Sequence, residues 1–397
     1  MESIVQPVLD GMSSLKKPQR FFMLVLLRVL MSFQGRATYR NLSRYCEMSE
    51  KRLSRWYGRD LGWVEFNQRL LLEHLSKASE KVAAIDASFM SKSGRHTEGL
   101  GWFYHGATGR AERGLEISLV SIIDIAAHTA YALDARQTLD KEDKSRTDTY
   151  ADQVVSLASH LKAQGVEHVA ADAYYSKETF VTPVLDVGLH IVGKLRSDAN
   201  LRSLYTGAYS GRGRPKRYNG KINLEGELKE LSALGEIEIG LQAWTAIVYS
   251  VMLRRNVRVV VLRLKEGEQL RQAVLYSTDT KLSARKIIDY YRARFQIEFV
   301  FRDAKQHTGL THCQSRKSQA INNHVNASLT ALNVLKVEDR ERKNTTEKTV
   351  ISIASWKRRK FNQNLMEKLF DKLDLTLNCQ KIRDVFDELS EYGTVAA

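Results

Sequence analysis

Three acidic residues occupy apolar stretches of the sequence, where an isolated charge is costly. Asp86 interrupts "KVAAIDASFM", Asp172 lies in "VEHVAADAYY", and Glu298 lies in "YYRARFQIEFVFRDAKQ". Carboxylate oxygens are preferred ligands of Mg²⁺, and two such ions about 3.5 to 4 Å apart stabilise the attacking and the leaving oxygen of a phosphoryl displacement. We therefore expect a catalytic site in which these three acids hold two Mg²⁺ ions, with Mn²⁺ as the alternative metal.

Each acid also has an ordinary structural interpretation. An aspartate at the end of a strand usually caps a turn or a helix. Asp124 lies in another strand-like segment and is a competing carboxylate, for which structural hydrogen bonding is expected. The metal site is predicted by the three acids in combination, because the two strands and the helix that carry them can bring the carboxylates together.

Cationic residues surround Glu298 in its predicted helix. At 3.6 residues per turn, five polar side chains project within roughly 80° of one another: Tyr291, Arg294, Glu298, Arg302 and Lys305. The other positions are largely apolar, which predicts protein contact on those sides. The stripe is either a surface ion-pair ladder, worth about a few tenths of a kcal/mol per pair, or an anion-binding surface beside a metal ligand.

Composition favours a nucleic-acid partner. The 397 residues carry a formal net charge of +15, and the pI is near 9.6, which makes a polyanion such as DNA the expected ligand. Cys46, Cys313 and Cys379 form no CxxC pair, so neither a disulfide framework nor a cysteine zinc site is indicated. The most apolar N-terminal run, residues 21–33, is too short to span a bilayer. We expect a cytoplasmic protein with no membrane partner.

The chain divides into five predicted regions. They are a helical region over residues 1–80, a core in two parts over 81–199 and 279–335, a β-rich insertion over 200–278, and a helical C-terminal region over 336–397. In the first part of the core, three strands, a helix, a strand, a helix and a strand follow one another. This order predicts an α/β fold of the RNase H-like type, a mixed sheet flanked by helices, in which the first and fourth strands are neighbours.

Two segments are predicted to contact DNA away from the acids. In the N-terminal region, Thr38 and Ser49 can cap two short helices that resemble a helix-turn-helix, and the second helix carries Lys51, Arg52 and Arg55. A plain helical cap on the next domain is the alternative interpretation.

The second segment is "YSGRGRPKRYNGK", which carries Arg212, Arg214, Lys216 and Arg217 and contains no acid. It resembles an AT-hook, which lays arginines in a narrow minor groove. The alternative is a solvated basic loop that contacts phosphates without reading bases. Both interpretations predict DNA binding.

Four residues of the stripe form a known pattern. Tyr291, Arg294, Glu298 and Lys305 are spaced Y-x2-R-x3-E-x6-K, which resembles the YREK signature of the DDE transposases encoded by bacterial insertion sequences. The segments "AIDASF" and "VAADAYYSKETF" resemble those that carry the first and second aspartates of that family. The resemblance covers roughly residues 80–335.

The resemblance implies a function for the whole constellation. Asp86, Asp172 and Glu298 would be the catalytic triad, and Tyr291, Arg294 and Lys305 would bind phosphates near the cleaved end of a mobile element. The implied partners are terminal inverted repeats and target DNA, the implied active form is a homodimer on paired ends, and the implied location is the bacterial nucleoid.

One departure from the family pattern concerns hairpin formation. Hairpin-forming members carry a tryptophan in the strand before the glutamate helix, where "LRQAVLYSTD" has none; Tyr276 and Trp244 are the candidates to replace it. Two rival functions remain open at this stage: a related endonuclease without strand transfer, and a catalytically inactive DNA-binding repressor derived from a transposase.

Overall fold

The computed structural model describes residues 2–139, 143–209, 211, 213–266, 269–345, 347–374 and 379–395. The chain separates into two compact units. The first unit comprises Met1–Ser79, Ala87–Leu139 and Gln296–Ala397, and the second comprises Glu80–Asp86 and Asp140–Phe295. None of the described helices combines the length and the apolar character needed to cross a bilayer.

The secondary structure is a mixture of helices and strands. The α-helices are α1 (Glu2–Asp10), α2 (Lys17–Ser32), α3 (Tyr39–Leu42), α4 (Glu50–Tyr57), α5 (Trp63–His74), α6 (Arg146–Ser156), α7 (Ala158–Ala163), α8 (Glu178–Asp186), α9 (Ala284–Ala293), α10 (Gln296–Asp303), α11 (Ser318–Lys343), α12 (Ile353–Lys372) and α13 (Gln380–Ser390). The strands are β1 (Lys81–Ser91), β2 (Gly101–His105), β3 (Arg110–Asp124), β4 (Thr129–Gln137), β5 (His168–Ala170), β6 (His190–Leu195), β7 (Leu201–Leu204), β8 (Tyr218–Lys221), β9 (Ser232–Glu238), β10 (Leu241–Ser250), β11 (Arg255–Glu266) and β12 (Gln269–Ser277).

In the second unit, the sheet begins with parallel strands and continues with antiparallel ones. Its order is β1-β5-β6-β12-β11-β10-β7-β8, with β9 paired to β10. β1, β5 and β6 are parallel, whereas β12 runs antiparallel to β6, with Val274 opposite Leu195. The predicted β-rich insertion is therefore hydrogen-bonded to the parallel strands and extends their sheet.

In the first unit, the strand order is β2-β3-β1, and β4 also pairs with β3. The β2–β3 and β3–β4 pairs are antiparallel. β2 was absent from the sequence prediction, although its segment "GWFYHG" alternates a buried Phe103 with Trp102 and Tyr104, each 66% exposed. With parallel strands in one unit and antiparallel pairs in the other, the mixed α/β architecture predicted as an RNase H-like core is confirmed.

The N-terminal helices begin at the predicted caps. The Thr38 hydroxyl accepts from the Asn41 N–H at 3.2 Å, and the Ser49 hydroxyl accepts from the Arg52 N–H at 3.3 Å. α4 buries Leu53 and Tyr57. α3 is a single turn, Tyr39–Leu42.

The segment that carries Glu298 is not the single straight helix that the spacing predicted. α9 ends at Ala293 and α10 begins at Gln296, because the Phe295 N–H bonds to the Arg292 carbonyl, three residues back, at 3.1 Å. A π-helical turn, Ala304–Thr308, follows α10. The ideal-helix angles therefore do not relate Tyr291 and Arg294 to the residues beyond the break.

α11 runs antiparallel to β4 and supplies hydrogen bonds to its backbone through side-chain amides. Asn326 accepts from the Ala135 N–H (3.0 Å) and donates to the Ala135 carbonyl (2.7 Å). Asn333 makes the same pair of bonds to Ala132, at 2.9 and 2.7 Å. The two asparagines are separated by about 10.5 Å of helix, and their partners by about 10 Å of strand, so helix and strand stay in register.

Asn333→Ala is expected to lower the free energy of unfolding by about 2 to 4 kcal/mol, because the buried N–H and C=O of Ala132 lose their partner. Chemical denaturation checks this value. Asn219→Ala, at an exposed position, is the matched control and should change stability by less than about 0.5 kcal/mol. Equal stability of both variants would show that the amide contacts are not needed to hold β4.

Candidate active site

Two of the three predicted acids lie just beyond the paired stretch of two neighbouring parallel strands: Asp86 in the middle of β1, and Asp172 two residues after the end of β5. Ala83 and Ala84 of β1 pair with Val169 and Ala170 of β5. Asp86 and Asp172 each follow the second of these pairs by two residues, and residues two apart share a face of the sheet. The register therefore directs both carboxylates to the same face. The prediction that these strands are neighbours is confirmed.

Asp172 also has the ordinary capping role. Its Oδ1 accepts from the Tyr174 N–H at 2.8 Å and caps the 3₁₀ turn Ala173–Tyr175. The backbone before it is fixed by a bond from the Ala171 N–H to the Val192 carbonyl at 3.0 Å. A cap uses one carboxylate oxygen, so the Oδ2 of this half-buried side chain is still suited to bind a cation.

A guanidinium faces the other aspartate. Arg294 Nη1 lies 3.9 Å from Asp86 Oδ2, and the two side chains are only 14% and 23% exposed. The Arg294 guanidinium also lies 5.7 Å from the centre of the Tyr291 ring. An opposite charge at this distance favours the ionised form of a partly buried carboxylate, which is the form that binds metal.

The remaining residues of the stripe lie in the first unit. Glu298 is half-buried in α10 between the buried Ile297 and Val300. Arg302 is 55% exposed and bonds to the neighbouring Asp303 carboxylate at 2.9 Å. It therefore presents its charge at the surface of this unit.

Lys305 is anchored on β1. Its ammonium donates to the Ser88 hydroxyl at 2.8 Å and to the Phe89 carbonyl at 3.3 Å, and burial lowers the pKa of Lys305. Sequence reasoning missed Ser88, although its position two residues after Asp86 on the same strand face was a signal.

The predicted DNA-binding cations outside the stripe are exposed. Lys51, Arg52 and Arg55 lie on the open face of α4. Arg214, Lys216 and Arg217 lie in the loop between β7 and β8, where Lys216 stands 5.0 Å from the Tyr205 ring. Arg212 is outside the described residues.

Other predicted candidates have structural roles. Asp124 is buried and its Oδ1 accepts from the Ala127 N–H at 3.1 Å, which caps the turn after β3. Tyr276 is fully buried, so its ring cannot receive a flipped base. Trp244 is half-buried in β10, with the Arg263 guanidinium 5.5 Å from its ring centre.

The chemistry of the donor set suits a hard divalent cation. Asp86 and Asp172 offer oxygen ligands only, which Mg²⁺ and Mn²⁺ accept. Within the described ranges, no group of three or more His, Cys, Asp and Glu side chains is arranged to hold a metal. His324 instead donates from Nε2 to the Gly309 carbonyl at 2.8 Å, which uses that nitrogen in a structural hydrogen bond.

Comparison with known proteins gives one family. A family model described as Transposase DDE domain matches residues 77–334, well over half of the chain. No curated protein matches the chain. Among solved structures, the NurA nuclease from Sulfolobus solfataricus is similar over 72% of this chain and 92% of its own, at 11% sequence identity and a TM-score of 0.24. A TM-score this low supports no inference about this chain.

Removing the Asp172 carboxylate should separate its capping role from any other role. Asp172→Asn keeps an oxygen for the Tyr174 N–H and should leave the free energy of unfolding unchanged within about 0.5 kcal/mol, whereas Asp172→Ala should lower it by about 1 kcal/mol. Denaturant unfolding measures both. If Asp172→Asn were as unstable as Asp172→Ala, the negative charge itself would be structural.

Proposed function

The chain belongs to the DDE-domain transposase family, and on that premise we propose that it cleaves DNA at the ends of a mobile element and joins those ends to target DNA. The observation that carries the proposal is the register of β1 and β5, which directs Asp86 and Asp172 to one sheet face directly after the paired stretch of these strands. We assign the chain to the YREK subtype on the spacing of Tyr291, Arg294, Glu298 and Lys305.

The proposed catalytic residues are Asp86, Asp172 and Glu298, which would hold two Mg²⁺ ions, or Mn²⁺ in their place. When bound, such ions supply Lewis-acid stabilisation to the attacking and leaving oxygens of a phosphodiester displacement. The two aspartates are held by neighbouring groups: Asp172 accepts the N–H that it caps, and Asp86 faces the Arg294 guanidinium. In the first step water attacks the phosphodiester and a 3′-hydroxyl leaves. In the second step that hydroxyl attacks a target phosphodiester, and the 3′-oxygen of the target strand leaves as a hydroxyl.

The cations of the stripe bind the phosphates of the cleaved strand in this proposal. Arg294 offers a planar fork that matches two phosphate oxygens, and Lys305 offers a compact point charge. Tyr291 contributes a hydroxyl, and Arg302 lies at the surface with its charge exposed. Because Asp86 already faces Arg294, a phosphate that binds this guanidinium is brought towards that carboxylate.

Recognition of the element's ends is assigned to the basic surfaces. We propose that residues 1–80 form an end-binding domain through Lys51, Arg52 and Arg55, and that the loop with Arg212, Arg214, Lys216 and Arg217 also contacts DNA. The net charge of +15 supports binding to a long polyanion. The proposed division of the chain also includes a core over 81–199 and 279–335, an insertion over 200–278 and a C-terminal region over 336–397. Two ends must be joined, so a homodimer on paired ends is the proposed active form.

Wild-type protein should nick DNA that carries the inverted repeats flanking its gene, and only when Mg²⁺ or Mn²⁺ is added. Asp172→Asn should reduce the nicking rate by roughly a thousandfold, since metal-assisted charge stabilisation supplies several kcal/mol. A gel assay with end-labelled DNA measures the rate.

Asp124→Asn is the matched control for this experiment, because Asp124 is buried in a turn and should leave nicking unchanged. Equal loss in both variants, or nicking by Asp172→Asn at the wild-type rate, would contradict the assignment. A strand-joining assay with the same DNA separates a transposase from an endonuclease, and absence of nicking by the wild type would favour the repressor.

A further inference from the structure

A basic cavity of about 840 Å³ lies in the first unit. Among the residues described, its lining includes five Lys and Arg side chains and no Asp or Glu: Arg36, Lys92, Arg95, Lys305 and Arg316. Such a cluster of like charges is stabilised by a bound anion. Of these five residues, only Lys305 was predicted from the sequence to bind DNA.

The cavity wall is built from fixed groups. The Lys92 ammonium donates to the Cys313 carbonyl at 2.5 Å and ties the loop after β1 to the segment before α11. The His312 Nδ1 accepts from the Ala37 N–H at 3.1 Å, so the neutral His312 ring carries its proton on Nε2 and can donate. Lys305 is held by Ser88 and Phe89 as described above.

Nearby acids are already paired. Glu98, which follows the cavity loop, binds the Lys317 ammonium at 2.8 Å and the Ser318 N–H at 2.7 Å. Burial lowers the pKa of Lys92, and the charge of Arg316 lowers that pKa further. The Lys92 ammonium is therefore partly dehydrated and repelled by Arg316, and the attraction of an anion bound between the two offsets both effects.

The loop also offers backbone donors and a ring. The structure shows no hydrogen-bond partner among the described residues for the N–H groups of Ser93, Gly94 and Arg95, and Gly94 has a φ of +112°, which a residue with a Cβ rarely adopts. The His105 ring lines the cavity and lies 4.6 Å from the Phe89 ring, centre to centre. Cations together with aromatic rings are the combination used by proteins that bind single strands.

The size of the cavity limits its occupant. A volume of 840 Å³ equals a cube with an edge of about 9 Å, which is narrower than the major groove of B-DNA alone, about 12 Å. A duplex does not fit inside, whereas the backbone and one or two bases of a single strand do.

We propose that this cavity binds a single strand of DNA through its phosphates, with Arg36, Lys92, Arg95, Lys305 and Arg316 as the cationic lining and His105 as a surface for a base. The identification of the ligand as DNA rests on the proposed function. The preference for a polyanionic strand rests on the charge and the size of the cavity. The site would hold the strand that separates from its partner near a cleaved end.

The test compares two double variants with equal loss of charge. Arg95→Gln with Arg316→Gln removes two exposed cations of the cavity, and Lys372→Gln with Lys381→Gln removes two exposed cations of the same unit outside it. Fluorescence anisotropy with a short labelled single strand, in EDTA and over a range of KCl concentrations, gives the slope of log affinity against log salt. The cavity variant should lose about 1.4 from this slope, two contacts at about 0.7 each, and the control should keep it.

Three outcomes would overturn the inference. The first is an equal salt slope for the cavity and control variants, and the second is an equal loss of slope with a blunt duplex and with the single strand. The third is that inorganic pyrophosphate binds the wild type as tightly as the strand does and leaves the affinity for the strand unchanged. The binding assay is run in EDTA and needs no catalysis, which separates this inference from the proposed function. Loss of strand binding in the cavity variant supports the site even if the wild type never nicks DNA.

Discussion

The hydrogen bonds between α11 and β4 are the constraint from which the architecture of the first unit follows. A strand at the edge of a sheet exposes unpaired N–H and C=O groups, and here asparagine amides take the place of a neighbouring strand. Lys336 extends the row by donating to the Ala130 carbonyl at 2.8 Å, and burial lowers the pKa of Lys336 to about 8. The helix that covers β4 is thereby fixed along the strand direction.

This constraint also positions the helix that carries Glu298. α10 packs on β4 and on α11 within the first unit, and the π-helical turn and Gly309 lead from α10 towards α11. A Cβ on Gly309 would lie 2.5 Å from the Cβ of Ala37, so the chain passes the N-terminal helices at a point where only glycine fits. The glutamate helix, the cavity lining and the N-terminal helices are therefore parts of one packed unit.

Charge is arranged differently in the two units. In the second, Asp86 is balanced by Arg294 at 3.9 Å, and Asp172 is held by a backbone N–H. In the first, the cavity gathers cations without an acid in its described lining. Concentrating like charges is costly in free energy, and protein packing maintains it through contacts such as that of Lys92 with the Cys313 carbonyl. In a chain with a net charge of +15, a bound polyanion would offset this repulsion.

The sequence by itself determined the strands around Asp86 and Asp172, the caps at Thr38 and Ser49, and the order of core elements apart from β2, because apolar runs and capping residues act locally. Tertiary structure decided the break at Phe295, the pairing of β12 with β6, and the cavity residues Arg95 and Arg316. At the break, a hydrogen bond three residues back replaces one four residues back. The strand pairing and the cavity depend on contacts between segments far apart in the chain, since a loop cation gains a role only when distant loops meet. Periodicity in one segment carries no information about such contacts.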